Sequence, residues 1–176
     1  MKKVLALAAL VMGACGAAQA GDFYVAGDVA KTRYSGGGSD QGFSLAGGYQ
    51  FNKNWAAELG YRFIGSDTKS YTEGANKWTE SYRFRSIDLS AIGTLPLTDQ
   101  FSVFGRLGYG TLQVKESYAV TAGSAPTSYR GSGTDSGLIY GLGADYALTK
   151  QLSVRGEYQR VASDVSVLAL GLKYGF

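Results

Sequence analysis

The sequence predicts an all-β fold, an eight-stranded antiparallel up-and-down β-barrel, on three observations. After Gly21 the chain falls into eight segments in which hydrophobic residues alternate with small or polar ones, as the two faces of a strand require. No segment sustains the 3.6-residue periodicity of a helix. Short and long connections alternate along the chain, so all tight turns would lie at one end of the barrel.

The eight predicted strands follow one another along the chain, each with the alternation of a half-buried strand. They are “FYVAGDVA” (23–30), “FSLAGGYQF” (43–51), “WAAELGYRF” (55–63), “SIDLSAIGTL” (86–95), “FSVFGRLGYG” (101–110), “LIYGLGADYA” (138–147), “LSVRGEY” (152–158) and “VLALGLKYGF” (167–176). The composition fits this assignment, because the 13 Tyr and 8 Phe residues favour strands and only 2 prolines oppose them.

The connections between these strands also indicate an antiparallel order. Three are short polar links, at 52–54, 98–100 and 149–151, and such links join antiparallel neighbours as hairpins. The second and third belong to an internal repeat, “TDQFSVFG” and “TKQLSVRG”. The remaining connections are predicted as polar loops at the opposite end, and they span 32–42, 65–85, 111–137 and the brief 159–164.

The first twenty residues, “MKKVLALAALVMGACGAAQA”, are predicted to be a cleaved signal peptide. Lys2 and Lys3 precede an apolar run that is too short for a transmembrane helix, and “AQA” at 18–20 is a cleavage site of the A-x-A type. The mature domain, 21–176, would have no cysteine and no strong charge, since removing Lys2 and Lys3 leaves 15 basic residues against 14 acidic ones. This balance gives no drive toward nucleic acid. Acylation of Cys15 is the alternative processing.

The two faces of the predicted strands differ in bulk and charge. One face carries no charge, and its large residues are Phe23, Val25, Val29, Phe43, Leu45, Tyr49, Phe51, Trp55, Leu59, Tyr61, Phe63, Ile87, Leu89, Leu95, Phe101, Val103, Leu107, Tyr109, Leu138, Tyr140, Leu142, Tyr146, Leu152, Val154, Tyr158, Leu168, Leu170, Leu172, Tyr174 and Phe176. The other face is small or charged, and its charged residues are Asp28, Glu58, Arg62, Asp88, Arg106, Asp145, Arg155, Glu157 and Lys173.

This difference predicts a barrel that spans a membrane. The interior of an eight-stranded barrel has room only for its own side chains, so the bulky face must point outward. Water would penalise that surface by about 25 cal/mol per Å², whereas lipid would not. Closure also pairs the backbone groups, as insertion into a bilayer requires. An aromatic girdle is predicted at the turn end, formed by Tyr49, Phe51, Trp55, Phe101, Tyr146, Tyr174 and Phe176.

Several stretches resemble the OmpA-type outer-membrane β-barrel family. They are “FSLAGGYQFNKNWAAELGYRFIG”, “SIDLSAIGTLPLTDQFSVFGRLGYG”, “GLGADYALTKQLSVRGEYQR” and the closing “LGLKYGF”. The resemblance implies a monomer in the bacterial outer membrane, among its lipid and lipopolysaccharide, with a role in envelope integrity or adhesion. A position that carries an interior lysine in a well-known member is Ile92 here. Since the chain ends at the barrel, we expect no peptidoglycan-binding domain.

The charged residues of the small face are predicted to form an ion-pair network in the lumen, because an unpaired buried charge is costly. Its members would be Glu58, Arg62, Arg106, Asp145, Arg155, Glu157 and Lys173; the family resemblance itself implies five of them, Glu58, Arg106, Asp145, Arg155 and Glu157. Two functions remain open for this network. It could fill and rigidify the barrel, or it could gate a small-conductance pore.

The last strand is predicted to close the barrel against the first. Its outward residues are Leu168, Leu170, Leu172, Tyr174 and Phe176. A terminal Phe preceded by apolar residues at alternate positions resembles the signal that the outer-membrane assembly machinery recognises. We therefore expect this strand to recruit that machinery.

The long loops are the candidate interaction surface, since aromatic residues in polar loops on a rigid scaffold suit recognition. Their aromatic residues are Tyr71, Trp78, Tyr82, Tyr118 and Tyr129. They could contact a host or matrix ligand, or they could line the outer girdle and the barrel rim. Enzyme activity, a metal and a cofactor are not expected, because the sequence has no His and its only cysteine lies in the predicted signal peptide.

Overall fold

The computed structural model describes residues 23–73, 76–122 and 125–176. Its strands are β1 (Phe23–Tyr34), β2 (Ser39–Gln50), β3 (Trp55–Glu73), β4 (Asn76–Pro96), β5 (Phe101–Ala122), β6 (Ala125–Ala147), β7 (Leu152–Ala162) and β8 (Val165–Gly175). Each pairs antiparallel with its sequence neighbours, and β1 pairs with β8 to close the barrel. The predicted fold class is confirmed. Within the described ranges, no helix is long and apolar enough to cross a membrane. The predicted signal peptide, with Cys15, lies outside them.

The alternation of side chains separates an apolar outer surface from a charged lumen. On the outside, Leu142 and Val29 are 73% and 70% exposed, which is unusual for aliphatic side chains and fits a surface covered by lipid. Inside, seven charged side chains are at most 6% exposed, namely Glu58, Arg62, Asp88, Arg106, Asp145, Arg155 and Glu157. The sequence therefore placed both faces correctly.

The three tight turns lie at one end, as the alternation of short and long connections predicts. In the repeated turns, the side-chain oxygens of Thr98 and Thr149 accept hydrogen bonds from the backbone N–H of Phe101 (2.9 Å) and Leu152 (3.0 Å). These bonds cap the turn in the manner typical of threonine and start the next strand. The predicted aromatic girdle lies at this end, and Phe23 adds to it. Ring pairs there are Phe23–Tyr49, Tyr49–Phe51 and Tyr174–Phe176, with centroids 4.8–5.3 Å apart.

The opposite end corrects the prediction of long loops. Most of 65–85 and 111–137 is paired strand: β3 and β4 stay paired to Glu73↔Asn76, and β5 and β6 to Ala122↔Ala125. Hydrophobic alternation stops at the membrane boundary, but Thr, Tyr and Ser-rich segments continue to pair in water. The loops predicted at 32–42 and 159–164 shrink to turns at 35–38 and 163–164. Gly37 and Gly38 permit the first turn, since both have positive φ.

The extended parts of β3–β6 form a four-stranded sheet beyond the barrel, which we call the projecting sheet (65–73, 76–86, 111–122 and 125–137). The barrel neighbours of this sheet end earlier, because β2 pairs with β3 only as far as Phe43↔Phe63 and β7 pairs with β6 only as far as Tyr140↔Arg160. β4 and β5 pair along their whole length. The projecting sheet is therefore a continuous extension of one side of the barrel wall.

Candidate functional site: the lumen network and the projecting sheet

Glu58 is the centre of the ion pairs in the lumen. Its carboxylate accepts hydrogen bonds from Arg155 Nη1 at 2.8 Å and from the Tyr24 hydroxyl at 2.8 Å, and it forms a close ion pair with Arg106 Nη2. These contacts join β1, β3, β5 and β7, strands that are not all neighbours in the sheet. Glu58 thus ties opposite walls of the barrel together.

The two arginines extend this network to the remaining carboxylates. Arg106 Nε lies 2.6 Å from Glu157 Oε1, and Arg155 Nε lies 2.9 Å from Asp145 Oδ1. Lys173 Nζ adds a second cation 2.6 Å from Asp145 Oδ2. Every carboxylate in this chain of contacts accepts from at least one cation, which is the condition under which buried charges are tolerated.

Arg62 differs from the prediction. Although it is buried, its Nη2 donates to the side-chain oxygen of Gln159 at 2.6 Å, and within the described part of the chain it has no ion pair. Its Nε and Nη1 have no hydrogen-bond partner there either. Asp28, another predicted lumen charge, accepts from the Ser44 hydroxyl at 2.8 Å. Six of the seven predicted members therefore form ion pairs, and Arg62 lies beside them.

Large apolar residues in the lumen were missed, because its face was predicted to be small or charged. Tyr24, Ala56, Ile92 and Phe104 form a buried cluster on the turn side of the network. The Arg155 guanidinium lies 4.6 Å from the centroid of the Phe104 ring, a cation–π contact. The sequence did contain a signal for them. The alternation in “FYVAGDVA” and “FSVFG” places Tyr24 and Phe104 on the lumen side of their strands.

A second apolar cluster lies on the other side of the network, so the charges are enclosed from both ends. It comprises Ala30, Ile139, Val161, Val165, Val167 and Ala169. A vestibule of about 270 Å³ opens at the turn end between Lys53, Trp55 and Lys173. Among Asp28, Arg62 and the other central residues the free volume is only about 10 Å³, about enough for one water molecule.

The closing strand forms a continuous seam with β1. Their register runs from Tyr24↔Gly175 to Tyr34↔Val165, and the backbone N–H of Phe176 donates to the Phe23 carbonyl at 3.0 Å. The outward residues Leu168, Leu170, Leu172 and Tyr174 are all exposed on this strand. Phe176 is half-buried against Tyr174.

The five aromatic residues predicted as surface contacts lie on one face of the projecting sheet. Tyr71 is paired with Trp78, and Tyr118 with Tyr129. Side chains an even number of residues apart on a strand share a face, so Tyr82 shares the face of Trp78 on β4. This face continues the lumen side of the wall, because Phe84, on the same side of β4, contacts the ring of Tyr34. These residues therefore do not join the lipid-facing girdle.

Residues 4–176 match the family described as “Outer membrane protein beta-barrel domain”. The chain belongs to this family. Outer membrane protein A of Shigella flexneri is 28% identical over 146 residues, covering 77% of this chain and 40% of that protein. The Serratia marcescens protein of the same name is 30% identical over 142 residues, covering 73% of this chain and 37% of its own length. The chain thus spans about 40% of the length of these two relatives.

Solved structures show the same fold at low sequence identity. OprG of Pseudomonas aeruginosa has a TM-score of 0.58 and 15% identity, covering 90% of this chain and 97% of that one. Ail, the attachment invasion locus protein of Yersinia pestis, has a TM-score of 0.54 and 17% identity, with 88% and 97% coverage. The predicted OmpA-type resemblance is confirmed, and the protein is a small β-barrel of the bacterial outer membrane. Its outward apolar face lies in the lipid of that membrane.

The relatives are described as outer-membrane proteins and an attachment protein. Within the described ranges, no group of three or more His, Cys, Asp or Glu side chains is arranged to hold a metal ion. The lumen carboxylates are instead engaged by Arg106, Arg155 and Lys173.

Proposed function

We propose that this barrel is a surface-interaction protein, in which the packed barrel is a rigid anchor and the projecting sheet contacts a host or matrix ligand outside the cell. The observation that carries the proposal is the placement of Tyr71, Trp78, Tyr82, Tyr118 and Tyr129 on one face of the projecting sheet. Tyr71 and Tyr129 are 55% and 69% exposed, so their rings are available to a partner.

The two faces of the projecting sheet differ in the way that a recognition surface requires. The aromatic face also carries Lys69, Glu80 and Glu116, which can donate and accept hydrogen bonds around the rings. The opposite face carries hydroxyl pairs near the tip of the sheet, in which Thr68 and Ser81 side-chain oxygens lie 3.1 Å apart, and basic residues nearer the barrel. Aromatic side chains held on paired strands lose little conformational entropy on binding, so the ligand meets a preorganised surface.

Ail has the same barrel fold, is an attachment invasion locus protein, and has been crystallised with the heparin analogue sucrose octasulfate. The likeness of the two chains, at 17% identity, supports a shared fold alone. The adhesive role proposed here therefore rests on the aromatic face, and it predicts a ligand that stacks on rings rather than one that needs a basic pocket.

Replacing the aromatic face should abolish attachment without unfolding the barrel. Cells that carry the Trp78→Ala/Tyr118→Ala variant should adhere to immobilised matrix proteins or host cells at least tenfold less, because stacking area is lost at the centre of the face. Ser81→Ala/Ser117→Ala is the matched control, since these paired residues lie on the opposite face of the same two strands. Adhesion is measured with equal surface levels of each variant.

Two deletions provide an independent check of this proposal. Removing 65–82 or 114–136 should also end attachment while leaving a heat-modifiable barrel, because both segments lie beyond the barrel wall. If binding is unchanged after both deletions, the projecting sheet has no adhesive role.

The alternative function, a small-conductance pore, meets an obstacle in the lumen. The contacts of Glu58 with Arg106 and Arg155 cross the barrel, and apolar clusters lie above and below them. Conduction would require these ion pairs to separate. Separation costs much free energy, because it leaves buried charges without a partner. We therefore favour the anchor role.

The closing strand is also proposed to recruit the assembly machinery. Phe176→Ala should lower the surface level of the folded barrel several-fold, because the half-buried terminal ring and its contact with Tyr174 are lost. Leu97→Ala, an exposed apolar residue in a turn at the same end, is the control. Surface levels are compared by antibody labelling of intact cells. Normal levels of Phe176→Ala would contradict the proposal.

A further inference from the structure

The outward face of the projecting sheet carries a compact cluster of cations directly beyond the lipid belt. Arg83 and Lys115 are cross-strand partners, and Arg85 lies two residues from Arg83 on the same face of β4. Side chains in directly opposed pairs have Cβ atoms about 4.5–5.5 Å apart. Arg130 extends the cluster, because it lies two residues before Ser132, the partner of Lys115, on the same face of β6.

This arrangement lacks the counter-charges that the lumen has. At the described outward positions of the projecting sheet, the remaining side chains are Ser, Thr, Gln and Ala, and none is acidic. In that part of the chain, Arg83, Arg85 and Lys115 form no ion pair, and Arg85 Nε is buried without a hydrogen-bond partner. Like charges directly opposed in a sheet destabilise it, so a bound anion would reduce the repulsion between these cations.

The position of the cluster identifies the layer it faces. On β4 the outward residues run from Leu95 through Leu89 to Ile87, all exposed, and then to Arg85 and Arg83. The eight residue-to-residue steps of tilted strand from Leu95 to Ile87 rise about 21 Å, close to the height of about 25 Å that an apolar belt has. Arg85 therefore lies where the acyl chains of the outer leaflet end.

A second strand repeats this order on the other side of the barrel. On β1 the last outward apolar residue is Val29, and Lys31 and Arg33 follow at the next two outward positions, both exposed. On both strands the first cation thus directly follows the last outward apolar residue. A layer of anionic headgroups above the belt would account for this order.

We propose that Arg83, Arg85 and Lys115 form a binding site for the phosphate groups of a phosphorylated glycolipid in the outer leaflet. The guanidinium groups can bind phosphate through two parallel hydrogen bonds, and Ser66 and Gln113 provide further donors, since they are the cross-strand partners of Arg83 and Arg85. The apolar side chains just below, Ile87 and Tyr109, contact the acyl chains of the same lipid. The site is independent of the aromatic face, which lies on the other side of the sheet.

The site is tested with the folded barrel in phosphatidylcholine nanodiscs that contain fluorescently labelled lipid A. Arg83→Gln/Lys115→Gln should bind the probe at least tenfold more weakly than the unchanged protein, because both charges contact phosphate. Lys53→Gln/Lys150→Gln is the matched control; it removes the same charge from two turns at the opposite end and should bind normally. Heat-modifiable gel migration verifies that each variant is folded.

Two further probes identify the ligand chemistry. Dephosphorylated lipid A should bind the unchanged protein as weakly as phosphorylated lipid A binds the double variant, and raised salt should weaken only the phosphorylated probe. Equal binding of both lipids, or of both double variants, would overturn the proposal. So would tighter binding of a soluble sulfated polysaccharide than of lipid A, since the cluster would then be a polyanion site facing water.

Discussion

Glu58→Gln is expected to lower the free energy of unfolding by about 3–5 kcal/mol, the usual cost of removing one partner of a buried ion pair. The carboxylate contacts both Arg106 and Arg155, and its side chain is 1% exposed. Without its charge, two buried guanidinium groups each lose a partner between the two apolar clusters of the lumen. Urea-induced unfolding in lipid vesicles, followed by tryptophan fluorescence, measures the difference.

Glu116→Gln is the matched control for this variant. It makes the same chemical change at an exposed position of the projecting sheet, where substitutions usually alter stability by about 0.5 kcal/mol or less. Equal losses in the two variants, or no loss in Glu58→Gln, would show that the network does not stabilise the barrel. A loss confined to Glu58→Gln supports the interpretation that the lumen charges fasten its walls together.

Gly171→Ala should prevent most molecules of this variant from closing into a barrel. A Cβ atom at this lumen-facing position would lie 2.7 Å from Asp28 Cα and closer still to the carbonyl oxygen of Gly27, both on the partner strand β1. Because backbone atoms cannot move aside as a flexible side chain can, the β1–β8 seam must open or shift. Overpacking of this kind costs about 1–3 kcal/mol or more, and here the cost falls on barrel closure itself.

Gly47→Ala is the control for the seam variant. Gly47 is also a strand glycine, but it faces outward and has no atom within 4 Å of an added Cβ. The fraction of protein that migrates as the compact, heat-modifiable form after refolding is compared for both variants. We expect a large decrease for Gly171→Ala and none for Gly47→Ala. Similar compact fractions would mean that the β1–β8 contact is looser than the structure describes.

The membrane-embedded part was predictable because alternation in sequence maps directly onto the two faces of a strand. The charged members of the lumen followed from the same rule, including Glu58, Arg106 and Arg155. Individual contacts did not follow, because they depend on the register between strands. Tyr24 and Phe104 fit into the lumen only because Gly48 and Gly143 leave the space that their rings occupy. No single segment of the sequence shows that each ring lies against a glycine of another strand.

The projecting sheet was missed for a different physical reason. The outward hydrophobic pattern ends near Ile87 and Tyr109, where lipid ends, but backbone pairing continues to Asn76↔Ala122. Segments rich in Ser and Thr expose polar side chains to water on both faces. They therefore lack the alternation of apolar and polar residues that distinguishes a strand from a loop. The aromatic residues were found as candidates, while their common face became visible only through the register of β3–β6.

Single-cysteine labelling tests most directly whether the barrel lies in the outer membrane with its tight turns on the inner side and the projecting sheet outside the cell. Cys15 is the only cysteine and lies in the predicted signal peptide, so the unchanged protein serves as the background. A membrane-impermeant maleimide on intact cells should label Ser117→Cys fully. It should label Asn52→Cys, in a turn, only after the outer membrane is permeabilised, and Leu89→Cys, on the outward belt, in neither case. Labelling of Leu89→Cys, or of Asn52→Cys on intact cells, would contradict this placement.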